Sequence, residues 1–133
     1  MFKRSRFRFA LLIVLTLFTL VMVAEEMTNI VTTEWPKPED FASYAIPGIR
    51  KPVGVEELVL SSDLGISTIV WQGTREQFYY IVGQLRVMQG VEFYEEVMTE
   101  TVATMVFISP NGTIIAVVYE ADEGAVAIAF HEV

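Results

Sequence analysis

The chain has 133 residues, of which 53% are hydrophobic and none is cysteine, and its formal net charge is −8. This length allows one domain, and the lack of cysteine excludes disulfides, thiol nucleophiles and cysteine-bearing metal sites. Four of the 9 basic residues and none of the 17 acidic ones precede Glu25, so residues 25–133 carry 5 − 17 = −12. That charge repels phosphates, and we expect no nucleic-acid partner.

Residues 1–24 have the pattern of a membrane segment. An uncharged run of 16 residues, Phe9 to Ala24, follows four basic residues: Lys3, Arg4, Arg6 and Arg8. Basic residues stay on the cytoplasmic side, so the sequence predicts a single-pass anchor in the cell membrane, with a cytoplasmic N-terminus and the domain outside. One alternative is a cleaved signal peptide and a secreted protein, although Met22 is too large for the third position before a cut at Ala24. Another is a core helix of a soluble protein.

Residues 25–54 are expected to form a stiff spacer, because prolines fix the backbone and oppose long helices. These prolines are Pro36, Pro38, Pro47 and Pro52. A single helical turn is predicted near Pro38, and Trp35 is expected to pack on the domain rather than at the membrane.

Residues 55–133 are predicted to form the domain. Two strands are expected within 55–72, although 55–60 is also compatible with a short helix. A helix then begins at Thr74, whose hydroxyl forms a capping box with Gln77. Its apolar stripe runs at spacings of three and four residues and ends before Gly90. The stripe consists of Phe78, Ile81, Val82, Leu85 and Met88.

The C-terminal part predicts a β-hairpin and one further strand. Residues 91–100 fit either a strand or a helix. Residues 102–109 and 113–120 flank Pro110-Asn111-Gly112, which suits a type I turn with a G1 bulge. A last strand covers 125–133. The fold class is therefore predicted as α+β: an antiparallel sheet of about four to five strands with one main helix on one face, preceded by the N-terminal apolar membrane helix.

The predicted strands are apolar on both faces. Val106 and Ala103 belong to opposite faces of one strand, and Ile115 and Ala116 to opposite faces of the next. A half-exposed sheet would alternate with polar residues. One helix covers one face only, so the other requires a cover from the same chain or from a partner, either a second copy or another protein.

No group of residues predicts catalysis or a cofactor. His131 is the only histidine, which favours a plain strand-end residue over a general base or metal ligand. The acidic cluster Glu120, Asp122 and Glu123 suits a solvated turn better than a Ca²⁺ loop. A second acidic group, interpreted as a solvated face, consists of Glu92, Glu95, Glu96 and Glu100.

Asn111-Gly112-Thr113 forms an N-x-T sequon, so Asn111 is a candidate glycosylation site if the protein is exported. Turn chemistry also accounts for all three residues.

The sequence thus favours a membrane-anchored, extracytoplasmic interaction or structural module that is not an enzyme. Its partner would be another copy or another protein, bound at the apolar sheet face. The alternative is a domain that binds a small apolar ligand between helix and sheet, with Trp71 as a candidate contact.

Overall fold

A computed structural model describes residues 29–132. They contain one 3-10 helix (Pro38–Tyr44), one α-helix, α1 (Arg75–Val87), and seven strands. The strands are β1 (Ile30–Thr32), β2 (Leu58–Asp63), β3 (Ile66–Gln72), β4 (Glu92–Met98), β5 (Val102–Ile108), β6 (Ile114–Glu120) and β7 (Ala125–His131).

The seven strands form one antiparallel sheet in the order β1-β2-β3-β7-β6-β5-β4. The sheet has two groups of strands, β1–β3 and β4–β7. Within each group, every strand pairs with the strand next to it in the sequence. The two groups meet where β3 pairs with β7, from Ile66 opposite His131 to Gln72 opposite Ala125. The connection between the groups contains α1, which packs on β6 and β7.

The prediction of four to five strands is wrong, because the described sheet has seven. Strand β1 lies in the proline-containing segment that we expected to be a spacer, and its pairing with Leu58–Leu60 fixes it. The ambiguous segment 91–100 forms β4. The predicted membrane helix lies outside the described residues. Within residues 29–132, no helix is long and apolar enough to cross a membrane.

The sequence left strand β4 ambiguous between strand and helix because a bulge interrupts its alternation. Phe93 pairs with Phe107 and Glu95 with Val106, which leaves Tyr94 as the extra residue. The bulge moves every later side chain to the opposite face relative to strict alternation. Phe93 and Glu96 therefore share a face despite their odd spacing.

The predicted helix and hairpin are confirmed. The Thr74 hydroxyl accepts a hydrogen bond from the Gln77 amide at 3.2 Å, and Gln77 Oε1 accepts one from the Thr74 amide at 3.0 Å. At the hairpin turn, the Gly112 amide donates to the Ser109 carbonyl at 2.9 Å, and Gly112 has φ +86°. Only a left-handed backbone closes this turn, which explains the glycine.

We call the sheet surface under α1 the first face. Phe78, Ile81 and Leu85 of α1 are fully buried against it. The segment between β1 and β2 covers the rest of this face with Phe41 and Ile49, which are 2% and 3% exposed. The apolar core on the first face therefore contains side chains from the 3-10 helix, the segment after it, the strands and α1.

The opposite sheet surface, the second face, is also apolar and buried. Its apolar cluster consists of strand residues only: Ile66, Val70, Val102, Ile114, Ala116, Val118, Ala127 and Ala129. Alternate residues of β5 and β6 lie on opposite faces of the sheet, and apolar residues occupy both faces, as predicted.

Candidate functional site

An open cleft of about 600 Å³ lies on the first face, between the 3-10 helix and strands β1–β3. This volume is within the usual range for small-molecule sites, about 300–1,000 Å³. The cleft lies beside α1 rather than beneath it, because α1 packs on β6 and β7.

Aromatic side chains form much of the wall. Tyr44 stacks on Phe130 with ring centroids 4.3 Å apart, and Phe41 meets the same ring edge-on at 5.9 Å. Trp35 closes another side and packs edge-on against Trp71 at 5.4 Å. These contacts hold the rings in place before any ligand arrives, which reduces the entropy cost of binding.

The 3-10 helix is positioned by local chemistry. Pro38 occupies its first turn, where its missing amide costs no helical hydrogen bond. The Asp40 carboxylate accepts from the Lys37 amide at 2.9 Å, and the Asp40 amide donates to the Lys37 carbonyl at the same distance. Gly48 has φ +133°, and a side chain there would meet Pro38 and Phe41. The chain therefore returns close beneath the helix.

Polar groups lie on one part of the floor and at the rim. The hydroxyls of Ser62 and Ser67 lie 3.4 Å apart on adjacent strands. Glu34, Lys37 and Asp40 line the rim, so the rim carries two acidic groups and one basic group. The cleft can surround an apolar body and hydrogen-bond one polar end.

The residues singled out from the sequence lie mostly elsewhere. Trp71 lies behind Trp35, and its indole Nε1 donates to Gln77 Oε1 at 3.1 Å, so it supports the wall without lining the cleft. His131 pairs with Ile66 on the second face. Within the described residues, no three His, Asp or Glu side chains form a group that could hold a metal ion. Glu120 instead caps its own turn, since Oε1 accepts from the Asp122 amide at 2.9 Å.

Asn111 is exposed at the hairpin tip, and both polar atoms of its side chain form hydrogen bonds. Nδ2 donates to the Ser43 carbonyl at 2.9 Å, and Oδ1 accepts from Thr113 Oγ1 at 2.7 Å and from Ser109 Oγ at 2.6 Å. Asn111 therefore ties the hairpin to the 3-10 helix. The bond to Ser43 uses one of the two N–H groups of Nδ2, and a glycan would replace one of the two.

The cleft residues were missed because they are distant in sequence. Trp35 lies in the loop after β1, and Tyr44, Leu60 and Phe130 come from three separate elements. The only sequence signal was the placement of Trp35 on the domain, and its packing on Trp71 confirms that placement.

Comparison with protein-family models, curated proteins and solved structures found no match to this chain.

Proposed function

We propose that residues 29–132 form a non-catalytic domain that binds a small, largely apolar molecule in the cleft. The observation that carries this proposal is the cleft itself, about 600 Å³ in volume and walled by Trp35, Phe41, Tyr44 and Phe130. Rings that already pack on one another offer a preformed surface for an aromatic or aliphatic body.

The net charge of the domain and of the cleft rim indicates which ligand charge the cleft favours. Residues 25–133 carry 5 − 17 = −12, and the rim contributes Glu34 and Asp40 against Lys37. This field repels anions and attracts cations. We therefore expect neutral or cationic ligands to bind more tightly than carboxylates of the same shape, with a hydroxyl or amine directed toward Ser62 and Ser67.

The polar residues of the cleft also favour binding over catalysis. The hydroxyls of Ser62 and Ser67 face each other, and His131 lies on the opposite face of the sheet. A serine nucleophile needs an adjacent general base within hydrogen-bond reach. Neither the rim nor the floor supplies an imidazole.

A thermal-shift experiment on the full chain tests this proposal with three compounds of one shape: 2-naphthol, 2-naphthylmethylammonium and 2-naphthoate. A ligand at about ten times its Kd stabilises by about 1.4 kcal/mol, which raises Tm by several degrees in a domain of this size. We expect such shifts with the first two compounds and a smaller one with the carboxylate.

A filled cleft provides the matched control. Ser62→Trp places an indole in the cleft from an exposed strand position and should abolish the shifts. Val87→Trp, at a position 84% exposed on α1, should leave them unchanged. The proposal fails if a wider set of small apolar compounds gives no shift, or if Ser62→Trp leaves the shifts intact.

Protein recognition through the second face is a second candidate function. The observation in its favour is that this face is apolar across β3, β7, β6 and β5. Its side chains are buried, however, so a partner would have to replace whatever covers them. Light scattering on the full chain tests for a second copy: a dimer favours this candidate, and a monomer that captures no protein argues against it.

A further inference from the structure

The aromatic wall of the cleft offers a ligand ring surface rather than hydrogen bonds. The indole Nε1 of Trp35 is the only donor of that side chain, and it already donates to the Ile49 carbonyl at 2.5 Å. The rings of Phe41 and Phe130 carry no polar atom. Among the aromatic residues that line the cleft in the described part of the chain, only Tyr44 therefore has a polar group left for a ligand.

Two of these rings keep an accessible surface. Trp35 and Tyr44 are half-buried, whereas Phe41 and Phe130 are each 2% exposed. Tyr44 and Phe130 lie within 6° of parallel, so their stack uses one face of the tyrosine and leaves the other. The edge-on contact of Trp35 with Trp71, at 74°, likewise uses at most one face of Trp35. The face of an aromatic ring is the negative part of its quadrupole, so it attracts cations.

We propose that the cleft recognises a quaternary ammonium group, a cation that carries its charge on methyl groups, through the rings of Trp35 and Tyr44. Because this group would bind in the same cleft, the proposal rests on the function proposed above, and it specifies the chemical class of the ligand. A cation within about 6 Å of a ring centroid is attracted by the ring, most strongly by that of tryptophan.

The shortage of acceptors on the wall selects a quaternary over a primary ammonium. A primary ammonium has three N–H donors, which lose their water partners when the group moves against the rings. A quaternary ammonium has no N–H and needs no acceptor. The hydroxyls of Ser62 and Ser67 on the floor then remain for a hydroxyl at the other end of the ligand. The cleft, at about 600 Å³, is much larger than a trimethylammonium group and has room for that second end.

The charges around the cleft favour the same ligand. Glu34, Lys37 and Asp40 line the rim, which gives a total charge of 1 − 2 = −1. The Asp40 carboxylate is fixed at the start of the 3-10 helix, because it accepts from the Lys37 amide at 2.9 Å. Residues 25–133 as a whole carry 5 − 17 = −12. This field attracts a cation over a distance, without a direct ion pair.

Two compounds of one shape test the role of the charge. They are (3-hydroxyphenyl)trimethylammonium and 3-tert-butylphenol, in which a neutral carbon replaces the charged nitrogen. Titration calorimetry on the full chain measures both values of Kd. We expect the cation to bind about 5- to 30-fold more tightly, the range of cation–π contacts from exposed to desolvated rings. 3-Hydroxybenzylammonium, a primary ammonium, should bind more weakly than the quaternary one.

Ring-deletion variants locate the effect in the wall. Trp35→Leu and Tyr44→Leu each keep an apolar side chain but remove a ring, and each should lower the ratio of cation to neutral affinity several-fold. Tyr44→Phe keeps the ring and should keep the ratio. Tyr80→Leu removes a ring that is 44% exposed on α1, outside the cleft, and should leave the ratio unchanged. Thermal melts verify that each variant folds, and Tyr44→Leu suffices if Trp35→Leu does not.

The outcomes separate this proposal from the more general one. Equal affinities for the two compounds overturn quaternary ammonium recognition but support an apolar ligand site, since the neutral compound then binds. A ratio that survives both ring deletions but disappears in about 0.5 M NaCl or in Glu34→Gln also overturns it, because the rim carboxylates would then supply the attraction. If neither compound binds and the wider set of apolar compounds gives no thermal shift, both proposals fail.

Discussion

At the scale of single residues, Gln77 joins three parts of the first face. Its Oε1 accepts from the Thr74 amide and from Trp71 Nε1, and its Nε2 donates to the Val53 carbonyl at 2.9 Å. One side chain thus connects the start of α1, strand β3 and the segment before β2. Gly73 lies so close that a side chain there would meet both Gln77 and Trp71.

We expect Gln77→Ala to destabilise the domain by about 2–4 kcal/mol. The change removes half of the capping box and leaves the indole N–H of Trp71, a residue 3% exposed, without its acceptor. Denaturant unfolding monitored by tryptophan fluorescence measures the loss. Gln89→Ala, at an exposed position just after α1, is the control and should change stability by less than about 0.5 kcal/mol. Equal effects of the two substitutions would contradict the role given to Gln77.

At the scale of elements, α1 is held by its buried stripe. Ile81 and Leu85 are fully buried, whereas Val87 on the same helix is 84% exposed. We expect Ile81→Ala or Leu85→Ala to reduce the free energy of unfolding by about 2–5 kcal/mol, because each leaves a cavity between helix and sheet. Val87→Ala should change it by less than about 0.5 kcal/mol. Losses below that value at Ile81 and Leu85 would mean that the helix contributes little to the core.

Elements with local signals were predictable, and those that depend on distant pairing were not. Helix α1 has its cap, stripe and end within one short stretch, and the β5–β6 hairpin has its turn in Pro110-Asn111-Gly112. Strand β1 has only three residues and exists through its pairing with β2. In β2, Ser61 is a residue type that is common in turns. Its hydroxyl nevertheless forms a hydrogen bond to Thr68 Oγ1 on β3 at 2.5 Å, and the strand continues past it.

The cleft was beyond prediction for a related reason. Its aromatic wall exists only because Phe130, near the end of the chain, lies beneath Tyr44. That juxtaposition requires β7 to insert beside β3, and nothing local to either strand specifies this pairing. A pocket between helix and sheet was anticipated, but the helix involved is the 3-10 helix rather than α1.

At the scale of the whole molecule, the sheet consists of two sequence-local groups joined at one pair of strands. Strand β3 belongs to the N-terminal group and β7 to the C-terminal group, and seven residue pairs join them. The Gly73 amide extends the junction by donating to the Gly124 carbonyl at 2.8 Å. The core of the first face crosses it without interruption, since Ile69 and Trp71 belong to the same cluster as Val126 and Ile128. This continuity argues that neither group is stable alone.

We therefore expect native-state hydrogen exchange to show one cooperative unit across the junction. Amides of β3 and β6 should open with the same free energy, while those of β1, a three-residue edge strand, should exchange through low-energy fraying. Leu85→Ala provides the sharper comparison, because α1 packs mainly on β6 and β7. If the unit is cooperative, this substitution lowers the protection of β3 amides by as much as that of β6 amides. Protection in β3 that is lower than in β6 by more than about 2 kcal/mol, or that does not respond to Leu85→Ala, would instead show that the N-terminal group opens on its own.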